Sequence, residues 1–137
     1  MKSSLNVNWA KGMAFETELN GHKLTVDTNE EFGGNDTGPR PKALMMFSLA
    51  GCSGMDVVSI LKKMKVELED FNMIVEAEMA DEHPKMYTSM HVRYQFKGKD
   101  LDITKLKKAV DLSQEKYCGV SASYQKSFPV TYEIEIL

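Results

Sequence analysis

Residues 41–64, PKALMMFSLAGCSGMDVVSILKKM, decide the fold. From Ala43 through Met55 no residue is charged, and the polar breaks are Ser48 and Ser53. A surface helix carries one apolar stripe, whereas a helix apolar on all sides is buried. The uncharged run is shorter than the ~20 residues a bilayer-spanning helix needs. The stretch therefore predicts the central helix of a globular protein, with the Cys52 thiol in its interior. Pro41 suits the first turn, where its missing N–H costs nothing. Burying such a helix on every side takes more cover than one sheet and one amphipathic helix readily give. A dimer that wraps its helices inside two shared sheets is the better expectation.

Upstream, residues 3–28 predict a three-stranded meander. Leu5, Val7 and Trp9 alternate with polar neighbours, as do Met13 with Phe15 and Leu24 with Val26. Ala10-Lys11-Gly12 makes the first turn, and Asn20-Gly21 the second, a pair that tolerates positive φ. The loop Asn29–Arg40 is rich in glycine but matches neither the P-loop nor the dinucleotide fingerprint.

Downstream, Asn72–Ala80 predicts a strand with Met73, Val75, Ala77 and Met79 on one face. Tyr87–Phe96 predicts a second, with Met90, Val92, Tyr94 and Phe96 inward and Ser89, His91, Arg93 and Gln95 outward. A helix is expected from Asp102 to Tyr117, with Ile103, Leu106, Val110 and Tyr117 at helical spacing and Asp102 or Thr104 as cap. Val120–Tyr124 reads as a single helical turn, and Pro129–Leu137 as a last strand. The order is βββ-α-ββ-α-β, an α+β class in one domain spanning residues 1–137.

At 137 residues the chain is long enough for its own core. A net charge of −3 and a pI near 5.6 argue against a nucleic-acid surface. Residues 1–20 show no apolar signal segment, so a reducing cytoplasm, with no membrane attachment, is expected. There the two cysteines serve redox chemistry or packing rather than a permanent staple. Cys52, within Ala50-Gly51-Cys52-Ser53-Gly54, suits a close helix crossing as well as a reactive thiol. Cys118 stands at the start of the predicted helical turn, where backbone N–H groups favour a thiolate. Being 66 positions apart, the two meet only through the fold, so both roles stand. His22, His83 and His91 share no ligand spacing with either thiol, and no metal site is expected.

The run Gly38-Pro39-Arg40-Pro41, the helical Ala50-Gly51-Cys52-Ser53-Gly54-Met55-Asp56-Val57-Val58 and the later Tyr117-Cys118-Gly119-Val120-Ser121 together resemble the OsmC/Ohr superfamily. It comprises osmotically inducible protein C and the organic hydroperoxide resistance proteins, and the resemblance is greatest to the OsmC-like branch, over essentially the whole chain. It implies an intertwined homodimer in which two central helices are enclosed by antiparallel sheets, with two sites at the subunit interface. It also implies that Cys52 attacks the hydroperoxide O–O bond and that Cys118 resolves the sulfenic acid. A dithiol donor, such as a lipoyl group, then reduces the disulfide, and no cofactor is needed. Peroxidase members carry a glutamate one or two places after the helix-opening proline, which holds a catalytic arginine over the thiolate. Lys42 and Ala43 occupy those places here, and Arg40 and Arg93 are the only arginines. Arg40 is thus the candidate catalytic guanidinium, and Lys42 offers a further positive charge. The resemblance implies a thiol peroxidase of organic hydroperoxides, the apolar helix favouring lipid-like substrates over hydrogen peroxide. The alternative is a protein of the same fold without efficient peroxidase activity, which binds an apolar small molecule or acts on another electrophile.

Overall fold

In a computed structural model, which describes all 137 residues, the chain divides into two units, Met1–Met45 and Met46–Leu137. The first carries β1 (Val7–Trp9), β2 (Phe15–Leu19) and β3 (His22–Val26) as an antiparallel meander. Its turns use consecutive left-handed residues, Lys11 and Gly12 at φ 75° and 58°, then Asn20 and Gly21 at 53° and 81°. That geometry matches the natural twist of paired strands. Register sets Trp9 opposite Phe15 and Phe15 opposite Val26, so Val7, Trp9, Phe15, Leu19 and Leu24 share one face. All five remain exposed.

The loop that follows is folded onto one buried carboxylate. Asp27 accepts hydrogen bonds from the backbone N–H groups of Thr28 (2.7 Å), Asn35 (3.2 Å) and Thr37 (3.1 Å), and from the Thr37 hydroxyl (2.7 Å). The loop passes so close to β3 and its continuation that a Cβ on Gly34 would lie 2.1 Å from the Thr28 carbonyl oxygen. One on Gly38 would lie 2.3 Å from that of Thr25. The glycines of this loop therefore answer to backbone approach.

The second unit is built on α1 (Leu44–Lys63), which begins in the last residues of the first. Pro41 lies ahead of the helix, its carbonyl accepting from the Leu44 N–H at 3.1 Å. Leu49, Ser53, Val57 and Leu61, spaced by one helical turn, form the buried stripe. Phe47 and Met55 on other faces are 74% and 76% exposed. Burial on every side is thus not achieved within one chain. The folded helix is 20 residues, long and apolar enough by composition to cross a bilayer. Its inward stripe is instead packed and hydrogen-bonded to the sheet.

That sheet holds β4 (Asp70–Met79), β5 (Tyr87–Lys97) and β6 (Val130–Ile136) in that order. β4 and β5 are antiparallel, but β6 runs parallel to β5, pairing Met90 with Val130 through Phe96 with Ile136. The expectation of antiparallel sheets holds for the first sheet and for β4 with β5, and β6 alone departs from it. The long helical crossover after β5 carries the chain back to the same end of the sheet, as a parallel pairing requires. Met90, Val92, Tyr94 and Phe96 are buried as the alternation predicts; Tyr87 is buried out of that phase, across a bulge from Met79, which is exposed.

The crossover consists of α2 (Ile103–Leu112), a π-helical turn (Ser113–Tyr117) and α3 (Gly119–Gln125). Asp102 caps α2, accepting from the Thr104 N–H at 2.9 Å. The wider π turn interrupts the 3.6-residue period, turning Ser113 and Gln114 inward and leaving Tyr117 exposed.

Candidate functional site

The two cysteines meet inside the second unit. Cys52 sits on α1 beside the buried stripe and is half-buried; Cys118 is 2% exposed, and neither is in a disulfide. Small residues flank Cys52, and Gly54 has a reason within the chain: a Cβ there would lie 2.9 Å from Met73 Sδ on β4. Phe47, Ala50, Gly51, Met55 and Phe71 continue this wall as an open apolar groove.

Cys118 lies between the π turn and α3. Its N–H donates to the Ser113 carbonyl at 2.7 Å, ending the π turn, and its sulfur accepts from the Ser121 N–H at 3.3 Å, capping α3. The Cys118 thiol lies close enough to Cys52 for the two to act on each other electrostatically. Burial pushes the Cys118 pKa up from 9.0 to about 11; the Ser121 N–H opposes this, while the neighbouring Cys52 adds to it. Cys118 therefore stays a protonated thiol at neutral pH.

Behind the sulfurs runs a connected set of buried polar groups. Ser121 Oγ donates to Gln114 Oε1 (2.6 Å), and Gln114 Nε2 donates to the Tyr94 hydroxyl (2.6 Å). Tyr94 shares a hydrogen bond with Ser53 (2.5 Å), Ser53 with Ser113 (2.7 Å), and Ser113 donates to Asp56 Oδ2 (3.1 Å). No buried side-chain oxygen or nitrogen lacks a partner. Reading the sequence missed this set. Its one local signal was a polar residue on an inward stripe: Ser53 between Leu49 and Val57, and Ser113 and Gln114 at three and four positions past Val110.

Arg40 belongs to the first unit, and its contacts lie in its own loop. Its Nη1 donates to Asp36 Oδ1 at 2.5 Å and to the Gly38 carbonyl at 3.1 Å. Asp27 pins that loop, and its pKa is lowered to about 2 by the Thr37 hydroxyl, then by the backbone N–H groups. His91 bonds the Thr131 hydroxyl at 2.7 Å on the outer sheet face, and no group of three or more His, Cys, Asp or Glu is arranged to hold a metal.

Comparison with known proteins gives a consistent picture. A family model described as OsmC-like protein matches residues 33–133. The chain is 33% identical to protein YhfA of Escherichia coli K12, with 96% of both chains covered. A hypothetical protein of Aquifex aeolicus VF5 superposes with a TM-score of 0.83 at 28% identity, covering 100% of this chain and 99% of that one. An organic hydroperoxide resistance protein of Legionella pneumophila superposes at 0.67 with 18% identity, covering 98% and 97%, a likeness of fold alone.

Proposed function

The chain belongs to the OsmC-like protein family, and on that premise we propose that it is a homodimeric thiol peroxidase of organic hydroperoxides. The observation that carries this is the pairing of a half-buried Cys52 with a protonated Cys118 thiol beside it. In the proposed cycle the Cys52 thiolate attacks the peroxide O–O bond, passing two electrons to it. Cys52 becomes a sulfenic acid and the alkoxide leaves, taking up a proton as the alcohol. Cys118 sulfur then attacks the sulfenic sulfur, forming the Cys52–Cys118 disulfide and releasing water. A dithiol reductant such as a lipoyl group restores both thiols, becoming a disulfide itself.

Arg40 is the proposed guanidinium of the reaction. The helix-borne carboxylate typical of peroxidase members is replaced by Lys42 and Ala43, and Asp36 provides a carboxylate for Arg40 from within the loop. Charge-assisted bonds of this kind fix both position and orientation. The groove along α1 offers apolar walls to an alkyl chain, which favours organic hydroperoxides over hydrogen peroxide. Exposed apolar faces on the first sheet and on α1 support the homodimer, and two free thiols suit a reducing cytoplasm.

The test is intact mass and free-thiol count after one equivalent of cumene hydroperoxide, beside the same assay with hydrogen peroxide. Loss of both thiols within seconds, faster with cumene hydroperoxide, is expected. Two persistent thiols would exclude the peroxidase and leave the apolar groove as the place to look for a ligand.

A further inference from the structure

The Tyr94 hydroxyl bonds both segments that carry the sulfurs. On one side it meets Ser53, the neighbour of Cys52 on α1; on the other it meets Gln114, in the π turn that leads to Cys118. Gln114 also accepts from the hydroxyl of Ser121, whose N–H donates to Cys118 Sγ. The directions agree along the set. Because Ser121 holds the Gln114 oxygen, the amide nitrogen donates to Tyr94, and the phenol proton is left for Ser53. The Ser53 proton then goes to Ser113, and that of Ser113 to the Asp56 carboxylate.

Replacing both partners of a buried hydrogen bond by apolar groups of the same shape can be nearly neutral, so stability alone does not call for polarity here. What hydrogen bonds add is fixed length and angle, and a fully satisfied buried network specifies one arrangement. We propose that Tyr94, Ser53, Ser113, Gln114 and Ser121 are positioning residues that hold the Cys52 and Cys118 segments at disulfide-forming range, an inference that rests on the dithiol site proposed above. The π turn belongs to this device, because its extra residue turns Ser113 and Gln114 inward together and delivers Cys118 beside α1.

The experiment equilibrates the full-length protein in glutathione redox buffers and counts free thiols by mass. The two cysteine thiols lose two electrons and two protons as the S–S bond forms, and glutathione disulfide takes up both to give two glutathione thiols. Tyr94→Phe deletes one oxygen and keeps a ring against Phe71. The equilibrium constant for the Cys52–Cys118 disulfide should fall about tenfold, a shift of ~30 mV for a two-electron couple. Ser53→Ala should move it in the same direction, so the test survives if one variant folds poorly. Tyr132→Phe removes a phenol whose bond goes to Asp111, and its potential should stay within about 5 mV of wild type. Wild-type potentials in both Tyr94→Phe and Ser53→Ala overturn the positioning role. A wild type that forms no intramolecular disulfide at any buffer ratio overturns the dithiol site beneath it.

Discussion

Met55→Glu tests the proposed dimer at an exposed apolar residue of α1. Met55 is 76% exposed on α1, close to Phe47 at 74%. Fully burying a Met side chain stabilises by ~1.5–3 kcal/mol, so roughly 1–2 kcal/mol per Met55 is still to be gained. A twofold interface contains the residue twice, so Met55→Ala should weaken the dimer by roughly 2–4 kcal/mol. Each 1.4 kcal/mol is about tenfold, which makes the loss ~30- to 1000-fold in Kd. Glutamate adds two desolvated carboxylates at several kcal/mol each, enough to leave monomers at micromolar concentration. Sedimentation velocity across a concentration series reads this directly, with circular dichroism to show that the fold persists. Lys108→Glu, exposed on α2, is the control and should leave the association unchanged. A Met55→Glu protein that keeps the wild-type mass at every concentration would refute the placement of the interface. A wild type that is monomeric at tens of micromolar would refute the dimer.

Cys52→Ser should abolish peroxide turnover, whereas Cys118→Ser should allow one turnover before sulfinic acid accumulates; sustained cycling in the second variant would remove its resolving role. Cys118, with its pKa raised to about 11 by burial, binds its proton more tightly folded than unfolded. Its contribution to stability is therefore complete below pH ~9 and lost as pH rises through ~11. Chemical denaturation across that window should show a stability decline that is shallower in Cys118→Ala, and an equally steep decline would contradict the assignment. Asp27 behaves oppositely: its pKa of about 2 means stability present above ~pH 4 and lost as pH falls toward 2. Asp27→Asn should flatten that acid limb and increase proteolysis within residues 29–40, whereas an unchanged acid limb would show that the loop does not depend on the carboxylate.

What could be read from the chain was whatever a local pattern encodes. Asn20-Gly21 fixed the second hairpin because two left-handed residues in succession leave few alternatives. The alternation of Met90, Val92, Tyr94 and Phe96 gave the inward face of β5, because period 2 survives in any pairing. The direction of β6 was hidden, since an alternating strand looks alike whether its neighbour is parallel or antiparallel. Ile103 and Tyr117 were expected inward on one continuous helix and are exposed; for Tyr117 the π turn shifts the phase, as a 3.6-residue reading cannot foresee. Asp27 and the Tyr94 set escaped for a different reason. Their partners lie up to 60 positions apart, as between Ser53 and Ser113, and a lone serine or aspartate carries no mark of what it will meet. The pairing of the cysteines was open on spacing alone and came from the two motifs taken together.

The uncharged run from Ala43 to Met55 meets two demands that the sequence does not separate. Its inward stripe needs small and apolar groups, with Ser53 as the polar link to Tyr94. That demand accounts for Leu49 and Ser53 within the run, and for Gly54 against Met73. It does not account for Phe47 or Met55, which meet largely solvent in the single chain, nor for Gly51, whose missing Cβ has open space before it. Exposed large apolar groups beside an unfilled glycine are what a second helix needs in order to approach closely. Charge returns at Asp56, the residue that terminates the buried hydrogen-bond chain. The run is thus longer than intrachain packing requires, and its excess lies on the faces that a partner copy would cover, which is why Met55, and not a residue of the buried stripe, is the place to test the assembly.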